Sequence, residues 1–136
     1  MSAKYFAAYA ATACVMVVLD LLWLGVIAKP IYARGIGHLL AERPNVPIAV
    51  LFYCVFVGGL MVFAVIPHGS TVGWSKTMVA GALFGFFAYA TYDLTNLATL
   101  KQWPISVALI DMAWGTLLSA VSAAAGKAML DRFALG

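Results

Sequence analysis

Charge is what this sequence has least of. Lys and Arg together number 8 and Asp and Glu 5 in 136 residues, so 10% of the chain is charged while 65% is hydrophobic. Soluble domains carry about a quarter charged and about half apolar residues, so a freely soluble globular domain is excluded. The basic residues are scattered over termini and connections, with no basic face interleaved with aromatics, which argues against a nucleic-acid partner. Cysteine is scarce as well. Cys14 and Cys54 both fall in apolar runs and read as two small buried hydrophobes, with neither the second pair nor the spacing of a Cys-based metal site. The two histidines, His38 and His68, lie in connections, which speaks against a haem or His-rich site. A Gly-rich phosphate loop, a nucleophile elbow and H-E-x-x-H are all missing. No cofactor and no metal is expected, and no motif names a catalytic residue.

What is there is apolar sequence, with a mean hydropathy of +1.00. It falls into four runs, at 5–28, 47–66, 76–99 and 104–129. Each reaches the roughly 20 residues that a helix needs to cross about 30 Å of hydrocarbon. The runs are continuous rather than alternating, which excludes a closed β-barrel. Pro47 and Pro104 suit the first turn of a helix, where no backbone N–H is needed. The first run is too long for a signal peptide, has no small-residue cleavage site before Lys29 and contains Asp20, so it reads as a retained span. The expectation is an all-α integral membrane protein: one membrane domain over 1–136, a four-helix bundle with antiparallel neighbours, and both termini on the same side.

The connection from Lys29 to Val46 is the longest. Ile31, Tyr32, Ile36, Leu39 and Leu40 can form one face of a short interfacial helix, or the segment is an ordinary polar loop. Orientation is weakly encoded. The side of the termini carries Lys4, Lys76, Lys127 and Arg132, and the opposite side Lys29, Arg34, Arg43 and Lys101. Four against four gives the positive-inside rule no asymmetry to act on and is compatible with antiparallel homodimers. "GALFG" (Gly81 to Gly85) is a small-xxx-small ridge that permits close helix approach, within the bundle or between subunits.

Three of the five acidic residues, Asp20, Asp93 and Asp111, lie inside the runs. A charge at the centre of a membrane helix costs roughly 2.5–3.5 kcal/mol on insertion scales, so each asks for a reason. Asp20 is eight residues before Ala28, Asp93 seven before Leu100, and Asp111 seven after Pro104. At about 1.5 Å per residue, all three lie about 10–12 Å along their helices from the side opposite the termini. Tyr53, six residues into the second run, comes to a similar level. Tyr89 and Asn96 share the face of Asp93. Asp20 and Asp111 each have a Trp three residues on, Trp23 and Trp114. That D-x-x-W echo places the indoles on the faces of the aspartates, with Trp23 shallower than its Asp and Trp114 deeper.

These aspartates could serve only as polar glue between helices, at about 0.6 kcal/mol per contact. Their number argues for more. Three carboxyls without a Lys or Arg at their level cannot comfortably all ionise, so they hold a proton, a cation or a cationic ligand.

The segments "LDLLWLG", "YDLTNLATLKQWP" and "DMAWGT", in this order over four runs, resemble an uncharacterised family of small bacterial inner-membrane proteins. The resemblance covers nearly the whole chain, and Y-D-L-T-N-x-A-T-L is its most specific part. It implies a shared four-span fold, a multi-pass inner-membrane location and a shared polar site. It implies no activity. Its matching motifs mark Asp20, Trp23, Tyr92, Asp93, Thr95, Asn96, Trp103, Pro104, Asp111, Trp114 and Gly115 as signature positions.

Two functions of different kinds follow. In the first, Asp20, Trp23, Tyr53, Tyr89, Tyr92, Asp93, Asn96, Asp111 and Trp114 line a site that binds or transports a proton, a cation or a small polar ligand. In the second, Asp93 with Asp111 or Asp20 is the acid/base pair of a membrane enzyme acting on a lipid or another hydrophobic substrate. An accessory or assembly subunit without a ligand is the third possibility. Membrane lipids are the expected surroundings and a homodimer a possible assembly.

Overall fold

A computed structural model describes residues 2–135. Helix α1 spans Ser2–Leu22 and widens into a π-type stretch at Trp23–Ile27. Helix α2 covers Lys29–Ile36, with Pro30 in its first turn. Helix α3, Val46–Leu60, runs on through a π-type stretch at Met61–Val65 into a 3-10 turn at Ile66–His68. Helices α4, Ser75–Thr99, and α5, Ile105–Leu135, complete the chain. Among the described residues there is no strand.

The helix starts follow from local chemistry. The Asn45 side-chain oxygen accepts the Ile48 N–H at 3.3 Å, which satisfies one of the orphan donors at the head of α3. Pro104 stands just before α5 and its carbonyl accepts the Ala108 N–H at 3.1 Å, closing the first turn. Helix α5 extends six residues past the end of its apolar run.

Among the described residues, three helical stretches are long and apolar enough to cross a membrane: Ala3–Ile27, Val46–His68 and Ile105–Ala134. The fourth expected span, α4, has the length at 25 residues but is not among them. Tyr89, Thr91, Tyr92, Asp93, Thr95 and Asn96 make its second half polar.

Neighbouring helices run in opposite directions. Along α4, Gly81 lies against Ala123 and Ser119, Gly85 against Ser119 and Gly115, and Tyr89 against Gly115. The Gly81–Gly85 ridge is thus spent on packing within the chain. A β-carbon at Gly85 would collide with Ser119 and the Gly115 backbone, so glycine sets the approach of α4 to α5. Helices α1 and α5 likewise oppose, with Thr12 beside Gly126 at one end and Asp20 beside Trp114 at the other. At the first of these ends, Lys4 and Tyr5 share a cavity wall with Phe133 and Ala134.

Helix α3 packs unevenly. Phe56, Val57, Leu60, Met61, Ala64 and Val65 are buried, whereas residues 46–52 are all exposed. The bundle is therefore closed around the end of α3 and open around its start.

Three expectations need correcting. Cys14 and Cys54 are free and exposed on the flanks, because their positions turn outward from helices whose opposite faces fill the core. The Lys29–Val46 connection does begin with a helix, but Tyr32 and Ile36 dock it onto Val107, Ala108 and Trp103, while Leu39 and Leu40 stay exposed. Lys127, expected as a loop charge, is 1% exposed inside α5. Its ammonium donates to the carbonyls of Gly69 at 3.0 Å and Thr71 at 2.7 Å and to Asp131 Oδ1 at 2.7 Å. Asp131 Oδ2 in turn accepts the Trp74 indole N–H at 3.2 Å. That clamp ties the connection after α3 to the last turns of α5.

Candidate functional site

The three aspartates gather in the open half of the bundle, each in a different state of hydrogen bonding. Asp20, on the last turn of α1, is 5% exposed and both its oxygens are engaged. Oδ2 accepts the Tyr53 hydroxyl at 2.5 Å and Oδ1 accepts the Trp114 indole N–H at 3.0 Å. Asp111, on the second turn of α5, is half-buried. Its Oδ1 accepts the Tyr32 hydroxyl at 2.9 Å, and that hydroxyl accepts the Trp23 indole N–H at 3.1 Å. Burial raises the Tyr32 phenol above its ordinary pKa, so it remains a donor at any physiological pH.

The D-x-x-W echo thus closes into a crossed pair. Trp114, three residues after Asp111, bonds Asp20 directly; Trp23, three residues after Asp20, reaches Asp111 through Tyr32. The two indoles stack, with centroids 4.4 Å apart and planes 6° from parallel. Their expected difference in depth disappears for a simple reason. Side chains lean toward the N-terminus of their own helix, and α1 and α5 are antiparallel, so the two indoles lean toward each other.

Asp93 differs from both. It is 0% exposed and, among the described residues, neither oxygen has a hydrogen-bond partner. The α4–α5 register, with Gly81 at Ala123, Gly85 at Ser119 and Tyr89 at Gly115, brings Asp93 level with Asp111, and Trp103 packs edge-on against Tyr92 beside it. The Trp103 N–H is also buried without a partner. Trp103 arrives there by a tight turn in which Gln102 takes a left-handed backbone, φ 62°, a conformation that non-glycine residues seldom adopt. Thr77, Ser119 and Ser122 have unpaired buried hydroxyls too. A neutral hydroxyl can turn onto the carbonyl one turn back; a carboxylate has no such recourse.

Two cavities meet at Asp111. One, of about 490 Å³, lies among α1, α3, α4 and α5. Six aromatic rings wall it, those of Phe52, Tyr53, Phe56, Tyr89, Tyr92 and Trp114, together with the carboxyls of Asp20 and Asp111. The other, of about 450 Å³, runs beneath α2 past Tyr32, Trp103 and Val107 to Lys29. Leu24, Tyr92 and Asp111 belong to both walls.

Of the nine residues expected at a site, Asp20, Tyr53, Tyr89, Tyr92, Asp111 and Trp114 line the first cavity. Trp23 joins through its stack, and Asp93, which lines neither cavity, lies level with Asp111 across the α4–α5 seam. Asn96 is not brought in: among the described residues no hydrogen bond links it to an aspartate, and it lines neither cavity. Three residues along a helix leave a side chain about 60° off the starting face, enough to carry it out of the seam. Sequence reasoning missed Tyr32 as a partner of Asp111. It also left Trp103 as a signature position without a role. The only sequence signal for Tyr32 was its place on the apolar face of a short helix.

A helical bundle with apolar flanks and three helices able to cross a bilayer defines a membrane protein. The family model described as "Predicted membrane protein (DUF2177)" matches residues 5–128, and the chain belongs to that family. No curated protein and no solved structure matches it.

Proposed function

We propose that this protein binds an organic cation in the aromatic cavity and moves it across the membrane. The observation that carries this reading is the composition of that wall: six aromatic rings and two carboxyls, with no Lys, Arg or His. Aromatic faces attract cations through their quadrupole, and more strongly where water is excluded. Asp20 already accepts two donors, so Asp111, which keeps Oδ2 without a donor, is the group that meets the cation. Its place in the walls of both cavities supports movement rather than storage, since one carboxylate can then be approached along two routes.

This reading places the bundle in a bacterial inner membrane with four spans. The 25 residues of α4 cross beside α5, the polar half facing inward, and both termini lie on one side. Membrane lipids cover the apolar flanks, and a homodimer, antiparallel or not, is the expected assembly if one chain is too small to enclose a full path. The enzymatic alternative has less support. Neither cavity is walled by Ser, Cys or His, and an acid/base pair alone would have to carry the reaction.

The test is equilibrium binding of tetraphenylphosphonium, a lipophilic organic cation, to the purified protein in detergent. Binding weakened at least tenfold by Asp111→Asn and unaffected by Glu42→Gln is expected. Equal binding by wild type and Asp111→Asn would remove the proposal.

A further inference from the structure

We propose that Asp93 and Asp111 share one proton, and that a cation reaching Asp111 from the aromatic cavity displaces it, so that the protein exchanges the two. The exchange rests on the cation reading above; the shared proton rests on geometry alone.

Three buried polar atoms lack partners at one spot: both oxygens of Asp93 and the indole N–H of Trp103. Two carboxylates are both acceptors, so Asp93 and Asp111 have nothing to join them while both are ionised. A single proton completes the set. The protonated oxygen of Asp93 then donates to Asp111 and the Trp103 N–H donates to the other Asp93 oxygen. Leaving such groups unpaired in a buried place costs about 1–3 kcal/mol each, more where one is charged. A metal ion fits the spot poorly, since hard cations take about six oxygen ligands and the indole N–H points positive charge at the same place.

The groups facing the pair leave no other source of positive charge. Helix α5 contributes Asp111, α2 the Tyr32 hydroxyl, α4 itself Tyr92, and the turn before α5 Trp103. Asp20, on α1, faces Tyr53 and Trp114 instead. The single basic side chain in the walls of the two cavities is Lys29, in the outer one.

Coupling follows because Asp111 serves both sites. With the proton in place the pair carries one negative charge. A cation settling against Asp111 allows the pair to carry two, and the proton leaves through Asp111 into the cavity. The charge balance is one proton released for one monovalent cation bound.

The experiment joins two readouts on purified protein in detergent. Infrared spectroscopy should show the carbonyl stretch of a protonated carboxylic acid at pH 7 in wild type, missing in Asp93→Asn and shifted in Trp103→Phe. Calorimetric titration with tetraphenylphosphonium in buffers of different ionisation enthalpy should show one proton released per cation in wild type and none in Asp93→Asn. The Trp103→Phe arm keeps the test valid should Asp93→Asn not fold. Absence of the acid band overturns the shared proton whatever binds, and a sodium-dependent spectrum in its place assigns the pair to a metal ion. Binding without proton release overturns the exchange and leaves the proposed function standing. No cation binding, with the acid band present, overturns the proposed function and the exchange and leaves the shared proton.

Discussion

The two ends of the bundle each bury an ionisable side chain, and they treat it in opposite ways. At the end of the chain termini, Lys127 is 1% exposed and finds three acceptors. At the other end, Asp93 is 0% exposed and finds no donor. A buried charge with every hydrogen bond made acts as a strut, because removing it strands its partners. A buried carboxyl with none made gains little for the fold, so its presence asks for a transient partner. The packing agrees with this division. The small residues of α4 and α5 and the end of α3 seal the strut's half, while the exposed start of α3 leaves cavities in the other.

The largest effect should come from the strut. Lys127→Met strands the carbonyls of Gly69 and Thr71 and leaves Asp131 without its cation. Breaking a buried pair this way should cost about 3 kcal/mol, the low end because Asp131 is 39% exposed. Denaturant unfolding in mixed micelles measures it, with cation binding by the folded fraction unchanged. A stable Lys127→Met would erase the contrast between the two ends.

Gly115→Ala comes next. Its β-carbon would collide with the Tyr89 ring, forcing that ring toward the cavity it lines. Overpacking of this kind costs about 1–3 kcal/mol, and here it should also weaken tetraphenylphosphonium binding. Loss of stability with binding intact would show that Tyr89 does not shape the cavity.

Tyr53→Phe removes one of the two donors to Asp20. Interhelical hydrogen bonds in membrane bundles are worth about 0.6 kcal/mol and at most about 1.7, so a loss of about 1 kcal/mol is expected in the same unfolding assay. A larger loss would move Asp20 from the site to the scaffold.

The division between strut and site was only half legible in the sequence. Counting residues from the ends of the apolar runs was enough to bring Asp20, Asp93, Asp111 and Tyr53 together, because helix rise is nearly constant. The D-x-x-W echo was visible, though not its crossing, which depends on which way side chains lean on antiparallel helices. Lys127 stands near the end of the last apolar run, where a lysine reads as a charge at the membrane edge; its burial depends on the Gly69 and Thr71 carbonyls of a distant connection, which hydropathy cannot see. Tyr32 could not be placed either: an eight-residue helix owes its position to docking on Val107 and Ala108 rather than to its own pattern. Trp103 needed the left-handed Gln102, and nothing about glutamine announces that conformation.

The smallest effect on stability should belong to Asp93→Asn, and it separates the two ends most sharply. Asparagine keeps the shape, removes the charge and supplies an amide donor that can reach Asp111 while its oxygen accepts from Trp103. Three orphaned atoms then pair without any added proton, so stability should change by less than about 1 kcal/mol, with a gain as readily expected as a loss. The wild type should show melting temperatures that vary with pH through the titration of the shared proton, whereas Asp93→Asn should be flat where the wild type varies. The measurement is a thermal-shift series from acid to alkaline pH at fixed detergent on both proteins. Parallel curves would mean that Asp93 does not titrate in that range, and the shared proton would fall. A loss as large as that of Lys127→Met would make Asp93 a second strut, and the contrast between the two ends would go with it.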